Sequence, residues 1–324
     1  SEPSLASPVY TGPIDIDSEV TVKALSVWRG GERRSPVTTA GVQPALSRTF
    51  RYVRIPLLHA EDDAVESGLG IVDLHSSTVG ITSSEASWFG LRFRDVRVPR
   101  NATILTSFVR LRPALLGMDP AERTVFADLS EPNQAFTDEL GGLSNRTRTS
   151  ASIPWVVAPW TGIGFQLASP DLAAVVEEVV HRPGWNPGNS MGLLISGVGD
   201  RAAHGFDGTA AGAAEFWVVY DERDALTVAA DARLTPYAGM SAQGQRRLFA
   251  SFEILNSVQA RGFLYTVEGS PTMEPGTWKT LNASFAGPLP GARPGFSHLL
   301  FEVSKPDGGN FGEKYFLRVR VVQQ

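Results

Sequence analysis

The sequence predicts a mainly β protein built of antiparallel β-sandwiches with one amphipathic helix. Short segments that alternate apolar and polar side chains recur along the chain, which is the pattern of strands with one face in a core and one in water. The 32 Gly and 22 Pro are spread between these segments, where they would form turns. A helical repeat of apolar residues interrupts the strands at one point.

The length, composition and net charge of the chain indicate how many domains it forms and which partners it does not attract. The chain has 324 residues, of which 42% are apolar and 19% charged, enough for two or three domains. Its formal net charge of −5 gives no general attraction to nucleic acid or to an anionic membrane surface. No apolar run of about 18 residues and no export signal occur in it, so we expect no membrane insertion. The lack of Cys excludes disulfides and thiol catalysis.

The first segment, residues 1–44, holds too few strands for a complete sandwich. Residues Val20 to Val27 alternate as a strand does, and Gly30-Gly31 then turns the chain. The run from Ser1 to Ile14, with this strand and turn, resembles the latter part of the chitobiase/β-hexosaminidase C-terminal domain. In that family a further strand precedes the position of Ser1. The resemblance therefore implies a chain that starts within the domain and continues a longer polypeptide with upstream domains.

The central segment, residues 45–222, contains five predicted strands and the helix. The strands are rich in β-branched and aromatic residues and comprise Phe50–Ile55, Trp88–Phe93, Ile104–Leu111, Met191–Ser196 and Glu215–Tyr220. Ser169 is the predicted N-cap of the helix, Pro170 its first residue, and Pro183 ends it. Its apolar face carries Leu172, Val175, Val176, Val179 and Val180.

This central segment resembles a jelly-roll module of large secreted bacterial proteins. The resemblance lies in Arg54-Ile55 with the acidic run Glu61 to Glu66, in Gly90 to Phe93, in Val98 to Ile104, in Pro170 to Asn189 and in Phe206 to Ala213. It implies a jelly-roll β-sandwich with a non-catalytic accessory or carbohydrate-binding role. It also implies a location outside the cell or on its surface.

A second antiparallel β-sandwich is predicted for residues 223–324, after the charged linker Asp221–Asp224. Its predicted strands are Arg247–Leu255, Gly262–Glu268, Leu299–Val303 and Lys314–Val321. Turns at Pro275-Gly276 and Asp307–Gly309 separate the later strands.

Carboxylates in the central segment predict a calcium site. The densest group in the sequence comprises Glu61, Asp62, Asp63, Glu66 and Asp73, and calcium takes about six to eight oxygen ligands. The resemblance adds Asp207, because the first and last strands of such folds lie side by side and acids near them often share an ion. The alternative is a solvated charged loop without a metal.

Three tryptophans are candidate ligand-binding residues, because a flat apolar ring can stack on a sugar. Trp155 and Trp160 are predicted to lie in a proline-stiffened loop before the helix, and Trp88 to open a strand. Packing in a core or loop is the alternative for each of them. Trp185, in an Arg-Pro-Gly-Trp turn, is a weaker candidate, and Trp217, on a strand, is the weakest.

These features favour a non-catalytic extracellular fragment that attaches or spaces a larger secreted protein on polysaccharide or a cell surface. Its partners would be a glycan and the upstream domains of the same polypeptide. One alternative is a structural component of an extracellular fibre or coat that assembles from copies of itself. Another is a polysaccharide-cleaving enzyme with a carboxylate pair drawn from Asp128, Glu131, Asp138 and Glu139. No spacing favours these four, and no catalytic residue is predicted.

Overall fold

The structure of the protein is a computed structural model. It describes residues 20–24, 27–28, 33–34, 38–42, 50–240, 246–256, 262–272, 274–309, 311 and 315–324, with side chains described from residue 50 onward except at 82–85, 237–240 and 246. The chain divides into two compact units, residues 1–49 and residues 50–324. Among the described residues, no helix has the length and apolar character needed to cross a bilayer.

The described residues of the first unit form two pairs of short antiparallel strands. Strand β1 (Val20–Ala24) pairs with β4 (Thr38–Val42), and β2 (Val27–Trp28) pairs with β3 (Arg33–Arg34). The strand predicted from Val20 to Val27 thus corresponds to β1 and the first residue of β2. Ser1 to Ile14, which carry most of the resemblance in this unit, lie outside the described residues.

The second unit begins with a two-layer β-sandwich. Its strands are β5 (Phe50–Pro56), β6 (Asp63–Glu66), β7 (Val72–Asp73), β8 (Thr78–Phe93), β9 (Thr103–Leu111), β10 (Ala121–Ala127), β11 (Ile153–Val157), β12 (Leu167–Ala168), β13 (Met191–His204) and β14 (Glu215–Asp221). Six strands form one sheet in the order β11-β10-β13-β8-β6-β7, and four form the other in the order β12-β9-β14-β5. The first and last strands, β5 and β14, lie side by side as predicted. The predicted mainly β sandwich fold is confirmed.

The apolar core lies between these two sheets because alternate residues of each strand point inward. On β14, Phe216 and Val218 are fully buried, whereas Trp217 between them points outward. Phe93 of β8 meets Phe216 across the core with 5.1 Å between ring centroids. The six-stranded sheet supplies Phe93 and the four-stranded sheet Phe216, so this contact joins the two layers.

Helix α1 (Ala173–Val180) packs its predicted apolar face into the same core. The predicted start of the helix is wrong. The N-cap is Leu172, and its side chain makes no capping hydrogen bond. Ser169 Oγ instead accepts from Val109 N at 3.0 Å, and Asp171 Oδ1 accepts from Ser107 N at 2.8 Å. The two side chains therefore accept hydrogen bonds from backbone N–H groups of β9. Because its hydroxyl is used in this way, Ser169 does not cap the helix.

A second sandwich follows helix α2 (Ala225–Ala230). Its strands are β15 (Thr235–Met240), β16 (Arg246–Leu255), β17 (Phe263–Ser270), β18 (Lys279–Thr280), β19 (Asn282–Leu289), β20 (Phe296–Ser304) and β21 (Phe316–Gln323). They form a four-stranded sheet, β15-β16-β20-β19, and a three-stranded sheet, β18-β17-β21. The predicted linker Asp221–Asp224 is structured: Asp221 ends β14, and Asp224 caps α2 by accepting from Thr227 N at 3.0 Å.

The second sandwich packs on one end of the outer face of the four-stranded sheet. Leu105 of β9 is buried in one apolar cluster with Val228 of α2, Leu255 of β16 and Phe296 of β20. Gly295 brings the backbones together at this contact, because a Cβ on it would overlap the Leu105 carbonyl oxygen. Part of this outer face is therefore covered, while Tyr52 on another part of it is exposed.

Gly295→Ala tests the importance of this close approach. Gly295 has a φ of +75°, so alanine there suffers both backbone strain and overlap with Leu105. We expect a loss of about 3 kcal/mol in the free energy of unfolding, measured by denaturant titration.

Gly291→Ala is the matched control. Gly291 has a φ of +83° with nothing near its missing Cβ, so only the backbone strain of about 1 kcal/mol applies. Equal losses in the two variants would show that the Leu105 contact contributes nothing.

Candidate functional site

The acidic residues at the start of the central sandwich are held mainly by arginines. Asp62 is 1% exposed and lies 2.6 Å from both Arg92 Nη1 and Arg94 Nε. Glu61 lies 2.7 Å from Arg94 Nη2, and this hydrogen bond holds the pKa of Glu61 below its ordinary value. Because guanidinium groups occupy these oxygens, Asp62 and Glu61 serve as ion-pair partners in the structure.

Glu66 anchors the long connection between β10 and β11, residues 128–152. The buried Glu66 carboxylate accepts from Leu143 N at 2.7 Å and from Ser144 N at 2.9 Å. Leu143 and Phe136 of this connection pack on the outer face of the six-stranded sheet. Asp73 is exposed and accepts from His75 N at 2.9 Å. Neither carboxylate is directed toward a shared ligand.

Asp63 and Asp207 are the two predicted calcium ligands that the structure brings near each other. Asp63 is 3% exposed and accepts from Phe206 N at 2.8 Å. Burial raises its pKa to about 6, and the Asp207 and Asp62 charges add to the rise. Asp207 Oδ2 lies 3.4 Å from His75 Nδ1.

The predicted set of six calcium ligands does not converge. In the part of the chain that is described, no three His, Cys, Asp or Glu side chains are grouped as a metal site requires. Calcium needs more oxygens than Asp63 and Asp207 alone provide, and the further ligands would have to be backbone carbonyls or water. Calcium binding stays a prediction, now confined to Asp63 and Asp207.

The three candidate tryptophans lie mainly in packed surroundings. The prediction that Trp155 lies in a loop is wrong, because it lies on β11, paired with Arg123 of β10. Trp155 is 9% and Trp160 3% exposed, and both belong to the sandwich core. Trp88 is half-buried on the outer face of the six-stranded sheet, with the Arg148 guanidinium carbon 4.7 Å from its ring centroid. The structure thus places Trp155 and Trp160 in core packing, the alternative that the sequence left open.

The carboxylates considered for catalysis include two that line one cavity. Asp128 and Glu131 border a cavity of about 440 Å³. Each already meets an arginine: Asp128 lies 2.7 Å from Arg146 Nη1, and Glu131 lies 2.6 Å from Arg182 Nη2. Asp128 is therefore tied into the base of the long connection, because Arg146 also donates to backbone carbonyls there.

An aromatic and charged surface lies on the part of the outer face of the four-stranded sheet that the second sandwich leaves uncovered. Arg54, Trp217 and Phe108 are direct cross-strand neighbours on β5, β14 and β9. Tyr52 lies beside Trp217 with 6.2 Å between ring centroids and 16° between ring planes. Phe108 lies 6.1 Å from Trp217 at 13°. These side chains and Arg110 form what we call the platform.

The exposure and charge of the platform suit a ligand that is both ring-shaped and polar. Tyr52 is 70% exposed. The guanidinium carbons of Arg54 and Arg110 lie 5.4 and 4.5 Å from the Trp217 ring centroid. Arg54 Nη2 lies 2.6 Å from Glu215 Oε1, and this contact lowers the pKa of Glu215. Arg110 has no ion pair in the described part of the chain, which leaves one excess positive charge.

By sequence Trp217 is the weakest of the tryptophan candidates, whereas the structure places it at the centre of the platform. A signal was present. Glu215, Trp217 and Val219 alternate with the inward row Phe216, Val218 and Tyr220, and the polar Glu215 indicates which row faces solvent. Arg54 and Tyr52 similarly alternate with Val53 on β5. The sequence does not show, however, that the outward side chains of β5 lie next to those of β14. This follows from the pairing of the two strands in the structure.

Comparison with known proteins gives a family match and a similar solved structure. Residues 1–42 match a family described as Fn3 associated. The finer resemblance of this segment to the chitobiase/β-hexosaminidase C-terminal domain stays a prediction. No curated protein matches the sequence. One similar solved structure is a carbohydrate-binding module specific for non-crystalline cellulose, with 8% identity and a TM-score of 0.17, covering 50% of this chain and 74% of that one.

Asp63→Asn should stabilise the metal-free protein at neutral pH. An aspartate whose folded pKa is raised opposes folding when ionised, and this cost disappears as the pH falls from about 6 to about 4. Asparagine keeps an acceptor for Phe206 N without the charge. We expect a gain of about 2–3 kcal/mol in the free energy of unfolding near pH 7.5 in chelator, and little change near pH 4.

Asp73→Asn, at an exposed carboxylate, is the control and should leave the dependence of stability on pH unchanged.

Added calcium tests whether Asp63 is also a metal ligand. If calcium binds there, it should raise the melting temperature of the wild type and not that of Asp63→Asn. An unchanged wild-type melting temperature would contradict the calcium prediction, and identical pH profiles of wild type and Asp63→Asn would contradict the raised pKa.

Proposed function

We propose that the chain is a non-catalytic accessory part of a secreted or cell-surface protein and binds polysaccharide through the platform. The observation that carries this proposal is the cross-strand row Arg54–Trp217–Phe108 with the exposed Tyr52 beside it. Its role would be to hold or space neighbouring parts of a longer protein on a glycan surface.

The geometry of the platform supports sugar stacking. Pyranose rings have flat faces lined by C–H groups, and such faces pack on aromatic rings while nearby polar groups bind the hydroxyls. Tyr52, Trp217 and Phe108 come from three adjacent strands and have nearly parallel ring planes. The rigid sheet fixes their spacing, so little ordering is needed on binding.

The charge of the platform favours an acidic polysaccharide over a neutral one. Glu215 forms its ion pair with Arg54, and its charge also acts on its cross-strand neighbour Arg110, so these three side chains together carry one net positive charge. A guanidinium group binds carboxylate or sulfate through paired hydrogen bonds. Such a contact would make binding weaken as the salt concentration rises.

Trp217→Ala should reduce polysaccharide affinity by about thirtyfold, because a central tryptophan typically contributes about 2 kcal/mol. Affinity electrophoresis and pull-down with a panel of acidic and neutral polysaccharides would measure this. Trp278→Ala is the control, since Trp278 also lies under an arginine, Arg318 at 4.3 Å, but belongs to the second sandwich. If no polysaccharide retains the wild type, the proposal is overturned. Release of soluble sugar during the assay would overturn its non-catalytic part.

A second candidate function, a self-assembling structural component, is favoured by an apolar surface at one end of the first sandwich. Loops 112–118 and 158–165 are joined there by hydrogen bonds between Gly117 and Trp160 in both directions. Sixteen large apolar side chains are exposed in the described residues, and seven lie in or beside these loops: Leu115, Leu116, Met118, Val156, Ile163, Phe165 and Val198. Apolar surface concentrated in this way is typical of protein contacts.

Leu116→Ser with Ile163→Ser tests the structural alternative. If copies of the chain associate through this end, the double variant should stay monomeric at concentrations where the wild type forms dimers or fibres, because two exposed apolar contacts are removed. Light scattering and electron microscopy would measure assembly. Leu69→Ser, at a side chain 76% exposed elsewhere, is the control. A wild type that remains monomeric at high concentration would contradict self-assembly.

A further inference from the structure

Two arginines are buried in the core of the first sandwich. Arg123 of β10 is 4% exposed and Arg201 of β13 is 3% exposed. Both occupy inward positions of the six-stranded sheet, where their neighbours in the alternating pattern are apolar, such as Ala121 and Val125 beside Arg123. A charged side chain in such a position needs compensation, because transfer from water to the protein interior disfavours the ionised form.

Backbone carbonyls supply part of this compensation for Arg123. Its Nη1 donates to Glu122 O at 3.0 Å and to Val198 O, and its Nη2 donates to Gly199 O at 3.1 Å and Ile81 O at 3.3 Å. These bonds use four of the five N–H groups of a guanidinium. The carbonyl groups are dipoles without a net charge, however, so the full positive charge of Arg123 remains.

Arg201 is bonded in the same manner but less completely. Its Nε donates to Ala158 O at 3.2 Å, its Nη1 to Asp200 O at 2.5 Å, and its Nη2 to Val157 O at 3.4 Å. These bonds use three of its five N–H groups. Gly117 leaves space for this arrangement, since a Cβ there would lie 2.8 Å from Arg201 Nη1.

Neither guanidinium contacts a carboxylate among the described side chains. In the part of the chain that the structure describes, no Asp or Glu oxygen lies within ion-pair distance of Arg123 or Arg201, whereas the similarly enclosed Arg92 and Arg146 each contact an aspartate. The exposed Asp200 acts on Arg123 only through its field. Burial and the charge of Arg201 together lower the pKa of Arg123 to about 10. Among the side chains that the structure describes, therefore, these two like charges in the core have no counter-ion.

A small cavity lies between these charges. It measures about 10 Å³ and is lined by Arg123 and Arg201, by Trp155 and Trp160, and by apolar side chains of the core. A space of this size holds about one water-sized species. Water would fill it without neutralising either arginine, whereas a single anion would offset one charge and accept the remaining N–H donors.

We propose that Arg123 and Arg201 bind one small monovalent anion of halide size, with chloride as the natural occupant, in this cavity. Larger oxyanions are excluded by its volume. Trp155 and Trp160, which the sequence suggested as sugar-binding residues, form part of its wall. The site is separate from the platform, since its residues lie on the inner face of the six-stranded sheet.

Thermal unfolding of the full chain in sodium chloride and in sodium gluconate at equal ionic strength tests this site. Chloride fits the cavity and gluconate does not. We expect the melting temperature to rise with chloride and to saturate, by on the order of 5 °C at a hundredfold excess over the dissociation constant. A general salt effect would instead increase without saturation. Equal melting temperatures in the two salts would overturn the proposal.

Variants connect the effect to the two arginines. Arg201→Gln should abolish the chloride-dependent rise, and Asp200→Asn should enlarge it because a nearby negative charge is removed. Arg97→Gln is the matched control, since Arg97 is exposed and already paired with Asp95 at 3.0 Å. It should retain the full rise. A chloride effect that persists unchanged in Arg201→Gln would overturn the assignment.

Bromide provides a second measurement that does not depend on how well the variants fold. Wild-type crystals soaked in bromide should show an anomalous peak in the cavity that Arg123 and Arg201 line. A cavity without that peak in crystals that show bromide elsewhere would overturn the proposal.

Discussion

The antiparallel pairing of β8 with β13 is the constraint on which the rest of the first sandwich depends. These two strands pair from Met191 with Phe93 to His204 with Thr78, with one register shift between Gly197 and Gly199. They form the centre of the six-stranded sheet, so their inner residues supply the core and their outer residues support the long connection between β10 and β11. Because a change of register by one residue would exchange the two faces, this pairing also decides which charged side chains enter the core.

Buried charge in the sandwich is handled in two ways. Asp62, Asp128 and Glu66 are buried and meet arginines or backbone N–H groups, and in each case the contact ties a loop to the sheet. Such pairs compensate their own desolvation through short, charge-assisted hydrogen bonds. Arg123 and Arg201 differ, since their hydrogen-bond partners among the described residues are backbone carbonyls. This contrast within one core is the reason that an anion, and not a further side chain, is inferred beside them.

The platform and the second sandwich share the outer face of the four-stranded sheet. Apolar contacts around Leu105 fix the second sandwich at one end of this face, which leaves Tyr52, Trp217 and Phe108 exposed to different degrees at the other. The second sandwich covers apolar surface that would otherwise be exposed beside the platform. A ligand on the platform would therefore lie close to the second sandwich, and the Leu105 contact sets how the two are arranged.

The sequence by itself determined the periodic features: the mainly β fold, the strands rich in β-branched residues, the apolar face of α1 and the adjacency of the first and last strands. These depend on local alternation or on a fold-level resemblance. Strand β10 was missed because Arg123 interrupts its inward row. Only the tertiary structure decided that Glu66 binds the backbone 77 residues away, that Asp62 meets Arg92, and that Ser169 leaves the helix end for β9. The physical reason is that a carboxylate or hydroxyl binds whichever donor folding brings within about 3 Å, and residue spacing along the chain does not encode that partner.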